Sequence, residues 1–189
     1  MLLTLLDWDK EVFLYLNGLG TASWDGFWLV VTNKWTSVPL YLCLLGLTLR
    51  SFGLKRTLII LLTVALLITV TDQLANFFKY GVQRLRPCHE PGLRDAMRLV
   101  QSYCGGNYGF YSAHASNSMG LAVFFACLMN PRYRGLGGIL VFWALIVSYS
   151  RIYVGVHYPL DVITGIMAGF LMGWLFTRLY LKAIFKFRL

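Results

Sequence analysis

Two apolar runs, FWLVVTNKWTSVPLYLCLLGLTL (27–49) and TLIILLTVALLITVTDQLANFF (57–78), narrow the folds open to this chain more than any other feature. Each is longer than the roughly 20 residues a helix needs to cross the ~30 Å hydrocarbon core of a bilayer. Each carries a single charge, Lys34 or Asp72. Of the 189 residues 58% are apolar and only 13% charged, where a soluble domain carries about a quarter charged. Three weaker candidates follow at 112–129, 135–151 and 159–177, rich in the small residues that let helices pack closely in lipid. The expectation is an all-α integral membrane bundle of five spans in one domain, residues 1–189. Residues 1–20 lack the basic start of a signal peptide. Their apolar positions Leu2, Leu5, Leu6, Val12, Phe13 and Leu16 fall along one side of a helix, which reads as an interfacial helix, a sixth span being the alternative.

Loop charges set the orientation. With the N-terminus outside, the inner side receives Arg50, Lys55, Arg56, Arg132, Arg134, Arg178, Lys182, Lys186 and Arg188, while the acids other than Asp72 fall on the outer side. That is the bias expected of cytoplasmic loops. The net charge of +9 is thus used up flanking spans, which argues against a nucleic-acid partner. No obligate protein partner is expected either. The longest section between spans, 80–111, faces outward in this arrangement, with a short helix expected around GLRDAMRLV (92–100).

Topology then brings three separated clusters to one membrane face: KYGVQRLRP at 79–87, YSAH at 111–114, and SRIYVGVHYPLD at 150–161. Ionisable groups at membrane depth are costly and usually mark a site. Lys79, Arg86 and Arg151 supply positive charge, Ser112 a hydroxyl, and the start of the third span unpaired backbone donors; together these suit a tetrahedral oxyanion. Asp161 follows His157 by four residues, so it can fix the imidazole tautomer and leave the other nitrogen free to attack. His114 is then the proton donor and acceptor.

The same residues resemble the signature motifs of the type 2 phosphatidic acid phosphatase (PAP2) superfamily, which includes bacterial membrane lipid phosphatases and, more distantly, vanadium haloperoxidases. Its pattern is a lysine, six residues and Arg-Pro; then Pro-Ser-Gly-His; then Ser-Arg, five residues, His, three residues and Asp. Lys79, Arg86 and Pro87 match the first; Ser150, Arg151, His157 and Asp161 match the third. In the second, Ser112 and His114 match, while Tyr111 stands where proline is usual and Ala113 where glycine is usual. The resemblance implies a phosphohistidine at His157, acid–base work by His114, phosphate held by Lys79, Arg86, Ser112 and Arg151, and neither metal nor cofactor. The substrate expected is a lipid phosphate at the outer face of a bacterial inner or plasma membrane. Short bacterial members point first to undecaprenyl diphosphate, with phosphatidic acid, phosphatidylglycerol phosphate and lipid A phosphate as alternatives. A transporter or a non-catalytic phospholipid-binding protein is the reading from another class.

Several residues have supporting readings. Arg84 reads as an ordinary loop cation, with a headgroup contact or support as the alternative. Asp72 either orients Asn76 or Lys79 or makes a helix contact. Ala113 and Ser150 adjoin the histidine motifs as support positions, and His89 reads as a solvent-facing loop histidine. Cys43 and Cys127 read as small packing residues within spans. Cys88 and Cys104 both lie in the outward section, where a disulfide would close a loop of about 17 residues, worth on the order of 3 kcal/mol. Two free thiols at the interface are the alternative.

Overall fold

The computed structural model describes residues 2–129 and 132–187, with the side chains of residues 2, 3 and 187 outside the described set. Arg188, counted among the inner cations, and the side chain of Leu2 therefore lie outside the described residues. Among the described residues six α-helices run in the order α1 (Leu2–Gly18), α2 (Ala22–Thr32), α3 (Val38–Val82), α4 (Ala113–Met129), α5 (Leu136–Tyr153) and α6 (Pro159–Phe187). Among the described residues the strand-like pairing is a single antiparallel bridge between Leu85 and Tyr108. The bundle is all-α, and three stretches, Lys34–Val82, Leu136–Tyr153 and Pro159–Lys186, are long and apolar enough to cross a membrane.

The first expected span is not one helix. α2 stops at Thr32, Asn33 accepts a hydrogen bond from the Trp35 N–H, and Lys34–Ser37 forms a 3₁₀ turn before α3 begins with Pro39 in its first turn. Asn, Ser and Pro in succession end one helix and start another. α3 is itself bent at Gly53, whose φ of 72° lies outside the helical range. Its two arms lie side by side, because Tyr41, Leu44 and Thr48 of one and Thr57, Ile60 and Val64 of the other line the same small apolar cavity.

From Met119 onward α4 is apolar on all sides, and the helix sits at the centre, in contact with α3, α5 and α6. Its tightest contact is with α6. A Cβ at Gly165, Gly169 or Gly173 would fall 2.5, 2.3 or 2.4 Å from the carbonyl oxygens of Ser112, Ser116 and Gly120 respectively. Two ladders of small residues at four-residue spacing thus bring the backbones together, and this seam aligns the start of α4 with the first turn of α6. α6 continues ten residues past its expected end; its 29 residues span roughly 43 Å at 1.5 Å per residue. Arg178, Lys182 and Lys186 lie toward its far end, away from Asp161.

α1 does more than lie along an interface. Its Asp9, Phe13 and Asn17, again four apart, are buried against the ends of α5 and α6, while Leu5 and Val12 remain exposed. The Phe13 and Tyr158 rings meet edge to face with centroids 5.4 Å apart. The helix expected at 92–100 is absent. In its place come a 3₁₀ turn at Pro87–His89 and successive turns closed by Leu93 N–H to Glu90 and Ala96 N–H to Leu93. Cys43 and Cys127 are exposed on the outer surfaces of their helices and pack no core.

Candidate active site

The turn leaving α5 places the residues that follow it. At Gly155 φ is 86°, and a Cβ there would lie 2.5 Å from the Arg98 carbonyl oxygen, so only glycine lets the chain reverse this close to the 80–111 section. The Val156 and His157 N–H groups both donate to the Arg151 carbonyl, at 3.1 and 3.2 Å. The Asn17 amide of α1 donates to the carbonyls of Arg98, Ile152 and Tyr153 and accepts from the Arg98 N–H at 2.7 Å. One side chain thereby satisfies the end of α5 and fixes the 80–111 section to it.

His157 is buried at the end of this turn. Its Nε2 is 3.1 Å from Arg86 Nη1 and its Nδ1 is 3.4 Å from Asp161 Oδ2. Arginine has only donors, so Nε2 is the accepting nitrogen and Nδ1 carries the proton facing the carboxylate. Burial, followed by the charges of Arg86, Arg151 and Lys79, holds the imidazole well below its usual range, so it is neutral near pH 7.

Asp161, fully buried, is held from three sides. It accepts from the Tyr158 N–H at 3.1 Å and from Arg84 Nη1 at 2.9 Å, and its own carbonyl accepts from the Ser112 N–H at 3.0 Å. Arg84 also donates to Asp9 at 2.6 Å and stacks 4.0 Å above the Tyr158 ring. Arg84 is therefore an ion-paired bridge between α1 and α6 rather than an ordinary loop cation. Asp9, which bonds the Leu160 N–H as well at 2.9 Å, is a member of this network that sequence spacing does not signal.

Lys79, Arg86, His114, Arg151 and His157 come together on the wall of one cavity of about 590 Å³. Arg86 donates to the Val156 carbonyl at 3.2 Å, and Arg151 donates to the Thr32 hydroxyl. The Nε atoms of both arginines are buried with no hydrogen-bond partner. Buried guanidinium donors without acceptors are costly and fit an anion bound between them. A cationic donor set of this kind repels a divalent metal. Cys88, His89 and Cys104 have ligand-type atoms within 4.8 Å of one another, but the two sulfurs are paired as a disulfide with Cα atoms 6.3 Å apart. His89, exposed, has its Nε2 3.3 Å from the Gly105 carbonyl oxygen.

The other expected residues divide between the wall and the layer behind it. Ser112 is fully buried, with Oγ 3.5 Å from the Ala115 N–H at the start of α4, and is not part of the lining, whereas Ala113 is. Ala113 has ordinary backbone geometry, since Gln83 is the one non-glycine with positive φ among the described residues. Ser150 is buried and donates to the Val147 carbonyl at 2.6 Å. Asp72 reaches the cavity and accepts from the Asn117 amide at 2.8 Å, a contact between α3 and α4. Asn33, Lys34, Gln101 and Tyr103 complete the outer wall; no motif marks them.

A family model described as the PAP2 superfamily matches residues 53–185. The lipid A 4'-phosphatase of Bacteroides thetaiotaomicron is 40% identical over 91% of this chain and 76% of its own length. That of Porphyromonas gingivalis is 35% identical over 95% and 75%. An undecaprenyl-diphosphatase of Sulfolobus acidocaldarius is 29% identical over 87% and 74%. The crystal structure of a PAP2-type phosphatidylglycerolphosphate phosphatase from Bacillus subtilis shares the fold, with a TM-score of 0.74 at 18% identity over 95% of this chain and 87% of that one.

Proposed function

The chain belongs to the PAP2 superfamily of membrane lipid phosphatases, and from that premise we propose that it removes a phosphate from a sugar-bearing lipid at the outer face of the membrane, through a phosphohistidine on His157. The observation that carries this is the convergence of three cations and two histidines on one cavity, with Asp161 behind the nucleophile. In the first step the Nε2 lone pair forms a bond to phosphorus as the bond to the lipid oxygen breaks, and His114 gives that oxygen a proton. In the second, His114 takes a proton from water, the water oxygen attacks phosphorus, and the N–P electron pair returns to Nε2 as phosphate leaves. Lys79, Arg86 and Arg151, with the unpaired N–H groups at the start of α4, stabilise the charge that builds on the phosphoryl oxygens. Arg86 donates to Nε2 in the resting site, and the incoming phosphate takes over that donor as it meets the nucleophile. Ser112 acts one step back, as the cap of α4. Arg84 and Asp9 are positioning residues that aim the Asp161 carboxylate at Nδ1.

The preference for lipid A among outer-face lipid phosphates rests on the two relatives at 40% and 35% identity. Undecaprenyl diphosphate is the second reading, favoured by the relative at 29%. Purified protein in detergent is expected to release phosphate from lipid A in EDTA and to carry acid-labile phosphate on His157. Loss of turnover that magnesium restores, or phosphate trapped on another residue, sinks the mechanism; turnover of undecaprenyl diphosphate alone sinks the substrate. The five-span, outward-facing arrangement is tested with Cys43 and Cys127 replaced by Ser. Arg94→Cys is then expected to react with an impermeant thiol reagent in intact spheroplasts and Arg132→Cys not to, the reverse pattern inverting the topology.

A further inference from the structure

A second cavity, of about 570 Å³, adjoins the phosphate cavity and shares Thr32, Asn33, Gln101 and Tyr103 with it. Ser102 adds a hydroxyl, and Leu29 and Val100 complete the lining. The two cavities differ in charge. The first contains the arginines, Lys79 and both site histidines, while the wall of the second offers hydroxyls, amides and one phenol and no ionisable cation or carboxylate. Thr32 joins them, since its hydroxyl accepts from Arg151 and it stands in both walls.

A phosphate monoester with phosphorus beside His157 must direct its alcohol away from the cations. From this geometry we propose that the second cavity is a saccharide subsite that receives the sugar ring carrying the phosphate. A second phosphate finds no cation there, and phosphate recognition depends on Arg, Lys or clustered N–H donors. A glycerol unit brings at most two hydroxyls to this wall and has no ring face to set against an aromatic side chain. A neutral pyranose matches in two ways: its hydroxyls pair with the Asn33, Gln101 and Ser102 side chains, and its C–H face lies against an aromatic ring with a polar tip. Tyr103 is 74% exposed and supplies that ring. The inference rests on the lipid phosphatase reading and locates where the sugar of its preferred substrate sits, other lipid phosphates being turned over without that contact.

The test uses the whole protein in detergent with phosphatidic acid as the reporter substrate. Soluble glucose 6-phosphate and glycerol 3-phosphate serve as competitors. The sugar phosphate is expected to inhibit about tenfold better than the glycerol phosphate, the worth of one or two net hydrogen bonds and a ring contact. Gln101→Ala with Ser102→Ala, and separately Tyr103→Ala, should erase that ratio. Tyr103 is exposed, so its variant is expected to fold, and thermal melting in detergent checks both. Equal inhibition by the two competitors, or a ratio unchanged in both variants, overturns the subsite. A retained ratio together with no hydrolysis of lipid A overturns the substrate reading alone.

Discussion

Around His157 and Asp161 almost nothing meets solvent, and the pair is held by a backbone N–H group, by arginine donors and by each other. Elsewhere on the two cavities, Asn33, Lys34, Ser102 and Tyr103 are all exposed, at a 3₁₀ turn and on an irregular loop. The inner wall is built from the α4–α6 seam and the turn at Gly155; the outer wall has no seam. The difference follows from what each must do. A nucleophile, its carboxylate and its cations need fixed positions, because transition-state stabilisation is lost when they drift. A headgroup wall needs polar side chains that adapt, and loops over a rigid scaffold supply them.

If that contrast is right, damage to the seam has the largest effect of any change outside the reacting groups. Gly169→Val puts a branched side chain where even a Cβ lies 2.3 Å from the Ser116 carbonyl oxygen and 3.0 Å from the Gly120 nitrogen. Overpacking typically costs about 1–3 kcal/mol where a core can shift, and two backbones in contact cannot. Little folded protein is expected from size-exclusion chromatography in detergent. A Gly169→Val protein that melts within a few degrees of wild type would show the seam to be looser than the inner wall requires.

Arg84 gives the next largest effect and asks whether the inner wall extends to α1. Arg84→Gln leaves Asp161 and Asp9 facing each other without their shared cation, and Asp161 is no longer aimed at Nδ1. The expected result is about a hundredfold loss in kcat with KM little changed, smaller than the ~10⁴-fold loss that follows when the carboxylate orienting a catalytic imidazole is itself replaced. Asp9→Asn should cost less, and Arg84→Lys should recover part of the rate. Equal losses in kcat for Gln and Lys together with a fall in melting temperature would assign Arg84 a purely structural role.

These two regions also differ in how far the sequence discloses them. Lys79, Arg86, His114, Arg151 and His157 are readable because helices that cross in alternation bring their polar ends to one face, whatever the packing. Arg84 is not, because its partners lie 75 and 77 positions away and nothing in QRLRP distinguishes a paired arginine from a solvated one. The glycines of α6 look like ordinary small residues of a buried helix until Ser112, Ser116 and Gly120 are seen opposite them. The break at Asn33–Ser37 was legible, since Asn, Ser and Pro39 interrupt an apolar run, but hydropathy averaged over a span conceals it. The outer wall carries no signal: Gln101, Ser102 and Tyr103 acquire a role only when the chain brings them beside Thr32.

The smallest effect is expected where this chain departs from the family pattern at Ala113. A glycine there would matter if the start of α4 required positive φ, but Ala113 is the first residue of the helix and its backbone is one that any L-residue adopts. Glycine would instead add freedom to the unfolded chain, at a cost of about 0.5–1 kcal/mol in a helix interior and less at its first turn. The removed methyl group also borders the cavity, so its loss enlarges the phosphate site slightly without touching a donor. Ala113→Gly is therefore expected to keep kcat and KM within about twofold, with a small drop in melting temperature. The Ser112 N–H bond to the Asp161 carbonyl fixes this point of the backbone independently of the residue that follows. A tenfold change in kcat in either direction would mean that the methyl group restrains the entry to α4, and the rigidity of the inner wall would then rest on side chains at that point as well as on its backbone contacts.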